Sequence, residues 1–338
     1  MVIRKRAFPR VALIGNPSDA YFGKIVTMTF DNFSAETILY ETPELEIKPG
    51  KQDTLRYGSL RELINHIERF GYDGGVKLIK ATIKVFYEYC RKSGVELKDT
   101  NFTILFETTI PFQVGMGGSS AIITSCIHAL ETLFEIEIPK PTLANLILSV
   151  ERDELGIPAG LQDRVAQVYE GLIFMDFNKS VLEKQEYGVY EELDPALLPP
   201  LYIAFRKDYS ENTHVLHFDL RKKFREKDPD VLAAIEEWIT QTDNFRAAFL
   251  DGRTKELGDY INQNFDIRQK VCPIDRENIR MIEMARSVGA SAKFTGSGGA
   301  IIGTYTDEHM YDKLRHNFSA LNIEIFKPNI AATSSFSG

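Results

Sequence analysis

The segment Pro111-Phe-Gln-Val-Gly-Met-Gly-Gly-Ser-Ser-Ala121 combines the residue types that hold a phosphate. Glycines let the backbone turn through positive φ and come close to a ligand. A helix starting at Ser119 or Ser120 would aim its first N–H groups and its dipole at an anion. The two serine hydroxyls add a phosphate contact and an oxygen ligand for Mg²⁺. No lysine follows these glycines and no Gly-Lys-Ser/Thr occurs in the chain, which excludes the Walker P-loop. The competing reading is a tight turn with a serine N-cap.

Phosphoryl transfer also needs carboxylates, one for the metal and one to accept or orient the proton of the attacking hydroxyl. Glu151 and Asp163, at the ends of Glu151-Arg-Asp-Glu-Leu-Gly-Ile-Pro-Ala-Gly-Leu-Gln-Asp163, are the candidates; a plain helix cap is the alternative for Asp163. A second glycine cluster, Lys293-Phe-Thr-Gly-Ser-Gly-Gly-Ala300, suits either close backbone approach to a ligand or a hairpin turn. Arg10 and Lys24 flank the N-terminal loop, where surface charge is the ordinary fate of such residues. His214 and His217 lack further zinc ligands, and His-Glu-x-x-His, Cys-x-x-Cys and Gly-x-Ser-x-Gly are absent.

The elements that must position these groups follow from periodicity and punctuation. Arg10 to Gly15 is a short apolar run entering a loop at Pro17, and strands are expected at about Ile25–Phe30 and Ala35–Tyr40. Helical spacing covers Ser59–Phe70 and Gly75–Lys92; Val76, Ile79, Ile83 and Phe86 share a face. A strand over Phe102–Phe106 leads into the glycine-serine turn, then helices to about Phe134 and over Thr142–Leu155. Leu197-Leu-Pro-Pro200 ends one region before a strand over Leu201–Phe205. Helices are expected over Pro229–Leu250, Thr254–Phe265, Asp275–Ser287 and Asp307–Leu321. Strands over Ala290–Phe294 and Ala300–Thr304 flank the second glycine cluster, and Ile323–Phe326 is the last.

With 338 residues the chain can build two cores, and 43% hydrophobic with 26% charged residues is a globular balance. A net charge of −8 argues against nonspecific nucleic-acid binding. No apolar run reaches the roughly 20 residues that span a bilayer, and Met1–Arg10 has no apolar segment of a signal peptide. Cys90, Cys126 and Cys272 are odd in number and widely spaced, so buried thiols in a reducing cytosol are expected rather than disulfides.

Pro111-x3-Gly115-x-Gly117-Gly118-Ser119-Ser120-Ala121 resembles the signature motif of the GHMP kinases, with Met116 and Gly118 where the usual form has leucine. The resemblance implies that Gly115, Met116, Gly117, Gly118, Ser119, Ser120 and Ala121 wrap the phosphates of ATP. It implies Ser120 and Glu151 as Mg²⁺ ligands and Asp163 as the catalytic carboxylate. Arg10 matches the family's basic residue beside that carboxylate, where a fixed positive charge stabilises the transferring group. Asp19 matches a sugar-binding aspartate, and Asn16 and Tyr21 join it as expected substrate contacts; Asn16-Pro17 replaces the Glu-His pair of galactokinases, which argues against galactose. The second glycine cluster resembles the third family motif, which implies that Gly296 and Ser297 close over the substrate.

Gly15-Asn-Pro-Ser-Asp-x-Tyr-Phe-Gly23 and Asn264-Phe-Asp-Ile-Arg268 are similar to the glucuronokinase branch of the family, and Gly-Leu-Gln-Asp163-Arg164 resembles that branch and the neighbouring heptose kinases. Arg164 and Arg268 are expected to pair with a substrate carboxylate, which a planar guanidinium matches in two-pronged fashion. The implied fold is α+β: an ATP-binding domain over 1–197 resembling ribosomal protein S5 domain 2, a ferredoxin-like domain over 198–330, and a tail over 331–338. ATP and substrate would occupy the cleft between the domains. The implied reaction is Mg²⁺-dependent transfer from ATP to the anomeric hydroxyl of D-glucuronate, by a monomer or homodimer without nucleic-acid or membrane partners. Rival readings are another GHMP sugar kinase, for a heptose phosphate or galacturonate, and a noncatalytic ligand-binding regulator of the same fold.

Overall fold

A computed structural model describes residues 1–48, 74–207 and 220–330. The helix expected over Ser59–Phe70, the pair His214 and His217, and the tail 331–338 lie outside them. The described chain forms two compact units, each drawing on separate stretches of sequence.

The first unit takes its described residues from Met1–Pro9, Phe33–Ile110 and Gly117–Val168. Strands β1 (Val2–Ala7), β4 (Ala35–Glu41), β5 (Glu46–Ile47) and β6 (Phe102–Thr108) form a sheet of order β1-β4-β6-β5. Only the β5–β6 pair in it is parallel. In β4, Ala35, Thr37 and Leu39 are buried while their neighbours are not, the period of a strand with one face on the core. Helices α1 (Gly74–Lys92), α2 (Gly118–Phe134), α3 (Lys140–Ser149) and α4 (Leu161–Tyr169) complete the unit. Helix α2 is apolar nearly all round and packs on β1 and β4, as a central helix must. Its Ser125 meets Thr37 at 2.8 Å, which satisfies two buried hydroxyls.

Two sequence expectations change here. Val2–Ala7 is a strand, although no strand was expected before Arg10; Arg4 and Arg6 pair with Glu36 while Ile3 and Ala7 face inward. The helix expected over Thr142–Leu155 ends at Ser149 and continues as a wider π turn over Val150–Glu154, closed by Gly156 at φ +66°. The Leu155 N–H reaches back five residues to the Val150 carbonyl at 3.2 Å. One extra residue in the turn rotates Glu151 relative to the helix before it.

The second unit takes its described residues from Arg10–Asn32, Pro111–Met116 and the chain from Tyr169 to 330. Strands β2 (Arg10–Ile14), β3 (Lys24–Thr29), β7 (Leu172–Asp176) and β8 (Val189–Leu193) form an antiparallel sheet in the order β2-β3-β7-β8. A second antiparallel sheet has the order β10-β11-β9-β12, from β9 (Leu201–Arg206), β10 (Lys293–Phe294), β11 (Ala300–Thr304) and β12 (Ile323–Phe326). Helices α5 (Lys179–Gln185), α6 (Pro229–Leu250), α7 (Leu257–Val271), α8 (Arg276–Ser287) and α9 (Glu308–Ser319) surround them. Asp228, Asp275 and Asp307 cap α6, α8 and α9 through their carboxylates. One apolar cluster gathers Tyr202, Phe265, Phe294 and Phe318; another gathers Tyr21, Ile235, Trp238 and Ile267. The strand expected over Ala290–Phe294 is shortened to Lys293–Phe294, although Ser291 N–H still bonds Thr304 O at 3.1 Å in the same register.

Candidate active site

In the first unit, α2 begins without a side-chain cap. Its N-cap is Gly117, at φ 73°, and the first helical bond runs from Ala121 N–H to Gly117 O at 3.1 Å. The N–H groups of Gly118, Ser119 and Ser120 therefore have no partner in the helix, where α6, α8 and α9 all carry an aspartate cap. The serine N-cap reading of the turn is thereby set aside, and the helix start is open to an anion.

Glu151 is buried and stands on this helix start: Ser119 Oγ donates to its Oε1 at 2.7 Å. The π turn and the bond from Ile157 N–H to Glu151 O at 2.7 Å hold it there. Its other oxygen meets the Arg164 guanidinium in an ion pair. Arg164 is buried too; its Nη1 donates to Gly160 O at 3.0 Å and lies 3.5 Å from Asp163 Oδ2. Asp163 sits in the first turn of α4, with its carboxylate partly exposed. Ser119, Glu151, Arg164 and Asp163 thus form one chain of charged and polar groups. Ser120 is fully buried and donates to Gly117 O at 3.0 Å, which leaves its oxygen lone pairs as acceptors. Gln167, not singled out in the sequence, donates to Gly117 O at 2.8 Å and to Phe8 O at 3.2 Å, fixing the turn.

The second unit holds a different constellation along the open edge of β2. Arg10 N–H donates to Met116 O at 3.0 Å and Ala12 N–H to Thr295 O at 2.9 Å. The Arg10 side chain is buried, with Nη1 2.6 Å from Gly115 O and 3.4 Å from Thr295 O. Asn16, joined to Pro17 by a cis bond, donates to Gly296 O at 3.2 Å and Phe294 O at 3.5 Å. Asn264 in turn accepts from Gly15 N–H at 2.6 Å and donates to Asn16 O at 3.0 Å. The Asn16 Oδ1 atom is buried and has no donor among the described residues. Gly296 has no room for a side chain: a Cβ there would lie 2.6 Å from Gly115 O and 3.2 Å from Arg10 Nη1.

Arg268 is buried on α7, over the Phe294 ring, and donates to Gly296 O and Ser297 O, both at 2.7 Å. Both expected carboxylate readers, Arg164 and Arg268, are thus engaged by their own chain. Asp19 is half-buried at the start of a short helical turn, Ser18–Tyr21. Tyr21 sits in the Trp238 cluster, where burial pushes its phenol up to about 12, so it stays neutral at physiological pH. A cavity of about 630 Å³ opens beside it, with Phe22, Lys24, Asp176, Phe224 and Glu236 in its wall. Of the expected substrate contacts only Tyr21 borders that cavity; the hydrogen-bonded edge of β2 is the richer site chemically.

No group of three or more His, Cys, Asp or Glu among the described residues is arranged to hold a metal alone. Mg²⁺ seldom needs one, because phosphates and water complete its octahedron. Glu151 with the adjoining serine hydroxyls supplies hard oxygen donors of the kind it takes. No described helix is long and apolar enough to cross a membrane.

Residues 77–171 match the family described as GHMP kinases N terminal domain. Glucuronokinase 1 of Arabidopsis thaliana is 39% identical over 307 residues, covering 89% of this chain and 84% of the relative. Probable glucuronokinase 2 of the same plant is 40% identical over 309 residues, with the same coverage. Among solved structures, the galactokinase of Lactococcus lactis complexed with galactose aligns over 98% of this chain and 94% of its own, with a TM-score of 0.76 at 16% identity. The chain belongs to the GHMP kinases, phosphotransferases with an alcohol group as acceptor.

Proposed function

We propose that this protein is an ATP- and Mg²⁺-dependent sugar 1-kinase that phosphorylates the anomeric hydroxyl of D-glucuronate, giving glucuronate 1-phosphate and ADP. The observation that carries this reading is the run Ser119–Glu151–Arg164–Asp163 beside an uncapped helix start. About 40% identity to glucuronokinases over 89% of the chain supports the choice of acceptor.

In this reading residues Gly115 to Ala121 carry the phosphates of ATP, with the N–H groups at the start of α2 facing their negative charge. Glu151 and Ser120 would hold Mg²⁺, with Ser119 bridging to Glu151; bound there, the ion neutralises phosphate charge. Asp163 takes the proton of the sugar O1 hydroxyl as O1 bonds to the γ-phosphorus and the bond to the β–γ bridging oxygen breaks, releasing ADP. Arg10 offsets charge on the transferring group. Arg164, committed to two carboxylates, sets their geometry. Asn16 accepts from a sugar hydroxyl through its unpartnered Oδ1, and Asp19 accepts from another. Tyr21 supports that loop from below. The uronate carboxylate is favoured by the positive charge of Arg268 and its neighbours near Gly296 and Ser297.

The test is ADP release with MgATP against glucuronate, galacturonate, glucose, galactose, mevalonate and a heptose 7-phosphate. Glucuronate-dependent release that Asp163→Asn loses is the expected result. Turnover of a different sugar would replace the substrate, and silence with ATP still bound would remove the kinase reading.

A further inference from the structure

Four consecutive carbonyls, of Phe294, Thr295, Gly296 and Ser297, each accept a hydrogen bond from a buried basic side chain. Lys293 Nζ donates to Phe294 O at 2.9 Å, Arg10 to Thr295 O at 3.4 Å, and Arg268 to Gly296 O and Ser297 O at 2.7 Å. Lys293 is the least expected member. It is 1% exposed, on a two-residue strand in an apolar sheet, and its amine also donates to Ala12 O at 2.7 Å. Ala12 uses its N–H for Thr295 O, so both polar groups of that residue on the open edge of β2 are tied to the segment 293–295.

A trans peptide points the N–H of residue i+1 opposite to the C=O of residue i. Drawing the carbonyls of 295, 296 and 297 toward the cations therefore turns the N–H groups of Gly296, Ser297 and Gly298 the other way. Among the described residues nothing accepts from these three N–H groups, whereas Thr295 N–H bonds Ala300 O and Gly299 N–H bonds Asn278 Oδ1.

We propose that Lys293 is a positioning residue for phosphoryl transfer: its amine locks the edge of β2 that begins with Arg10 to the loop 294–298, so that the loop presents three outward N–H donors in fixed order. This rests on the kinase reading above. Lys293 touches no substrate. Its amine does what a neutral hydrogen-bond donor of that reach does, and its burial beside Arg268 and Arg10, opposed by Asp19, drives it toward the neutral form.

Two variants test it, each assayed with the acceptor that the wild type turns over best. Lys293→Met keeps the length and the apolar stem and removes both hydrogen bonds. Its expected behaviour is an unchanged or raised Tm, since an uncharged isostere replaces a buried amine, with ATP affinity within about twofold and kcat lowered roughly tenfold or more. Lys293→Ala leaves a cavity of side-chain shape, and propylamine in the buffer is expected to restore kcat saturably while tetramethylammonium, which has no N–H, does not. Wild-type kcat in Lys293→Met overturns the proposal. So does a kcat loss matched by losses of Tm and ATP affinity in both variants, or failure of both to fold, because the lysine is then only structural. A wild type inactive on glucuronate but active on another sugar overturns the substrate assignment alone and leaves this test intact.

Discussion

The two buried polar constellations treat charge in opposite ways. In the first unit, Arg164 lies between Glu151 and Asp163, so a cation is enclosed by carboxylates and the group carries net negative charge. In the second, the guanidinium groups of Arg10 and Arg268 are bonded to carbonyl oxygens, and the Lys293 amine donates to two more. An ion-paired cluster with one carboxylate in excess serves as a base or a cation site. A cluster solvated by carbonyl dipoles keeps its positive field and serves an anion. One fold supplies both because carboxylates project from a π turn and a helix start, while the carbonyls come from a glycine loop in which Gly296 has no room for a side chain.

The largest expected effect breaks the carboxylate side. Asp163→Asn keeps shape and removes the base, and should lower kcat by about 10³-fold, near 4 kcal/mol of barrier, with the ATP dissociation constant by calorimetry unchanged. Next, Arg164→Met strands Glu151 as a buried carboxylate without its cation. A loss of about 3–5 kcal/mol in urea unfolding is expected, and Glu151→Gln in the same chain should recover part of it; additive losses would show that the pair is not coupled. On the cationic side, Arg268→Ala removes two hydrogen bonds to the loop and one positive charge. The KM for a uronate should rise roughly tenfold, about 1.4 kcal/mol, with that for ATP unmoved. An unchanged uronate KM would take Arg268 out of acceptor recognition.

The smallest effect is a slope with pH. Burial, then Arg268 and Arg10, hold the Lys293 amine well below the ordinary lysine value of 10.5, with Asp19 pulling weakly the other way. Between the two values the unfolded chain binds a proton that the native protein does not, so unfolding free energy rises with pH and levels off near 10.5. Denaturant unfolding from about pH 7 to about pH 10 should show this extra rise in the wild type and not in Lys293→Met. Parallel curves would mean the amine stays charged when buried.

The sequence carried most of this architecture where one local rule acts alone. Helix Pro229–Leu250 has the expected limits because Asp228 and Pro229 fix its start, and Leu201–Arg206 follows Pro199-Pro200 as a strand. The glycine-serine turn and the two carboxylates were legible from residue type and spacing. What was not legible depends on partners distant in the chain. Val2–Ala7 is read as a strand only once Glu36 is seen pairing Arg4 and Arg6, since three adjacent cations hide the alternation. The break at Ser149 is invisible because Val150 to Leu155 keeps an acceptable helical composition. The part Lys293 plays beside the glycines is not readable from the sequence, because only the fold brings Ala12 O, 281 residues away, to its amine. The same holds for Gln167 and Gly117, neighbours through a turn that spacing does not reveal.

Trp238 is the only tryptophan in the chain, and its indole N–H donates to the backbone oxygen of Asn264 at 3.1 Å. The side chain of that same asparagine grips Gly15 and Asn16. The protein therefore carries a native optical reporter: a single indole, shielded from water, is linked through one residue to the loop where an acceptor would arrive. Excited at the red edge of indole absorption, where the 14 tyrosines contribute little, the unlabelled wild type can report occupancy of that loop with no dye to perturb the site.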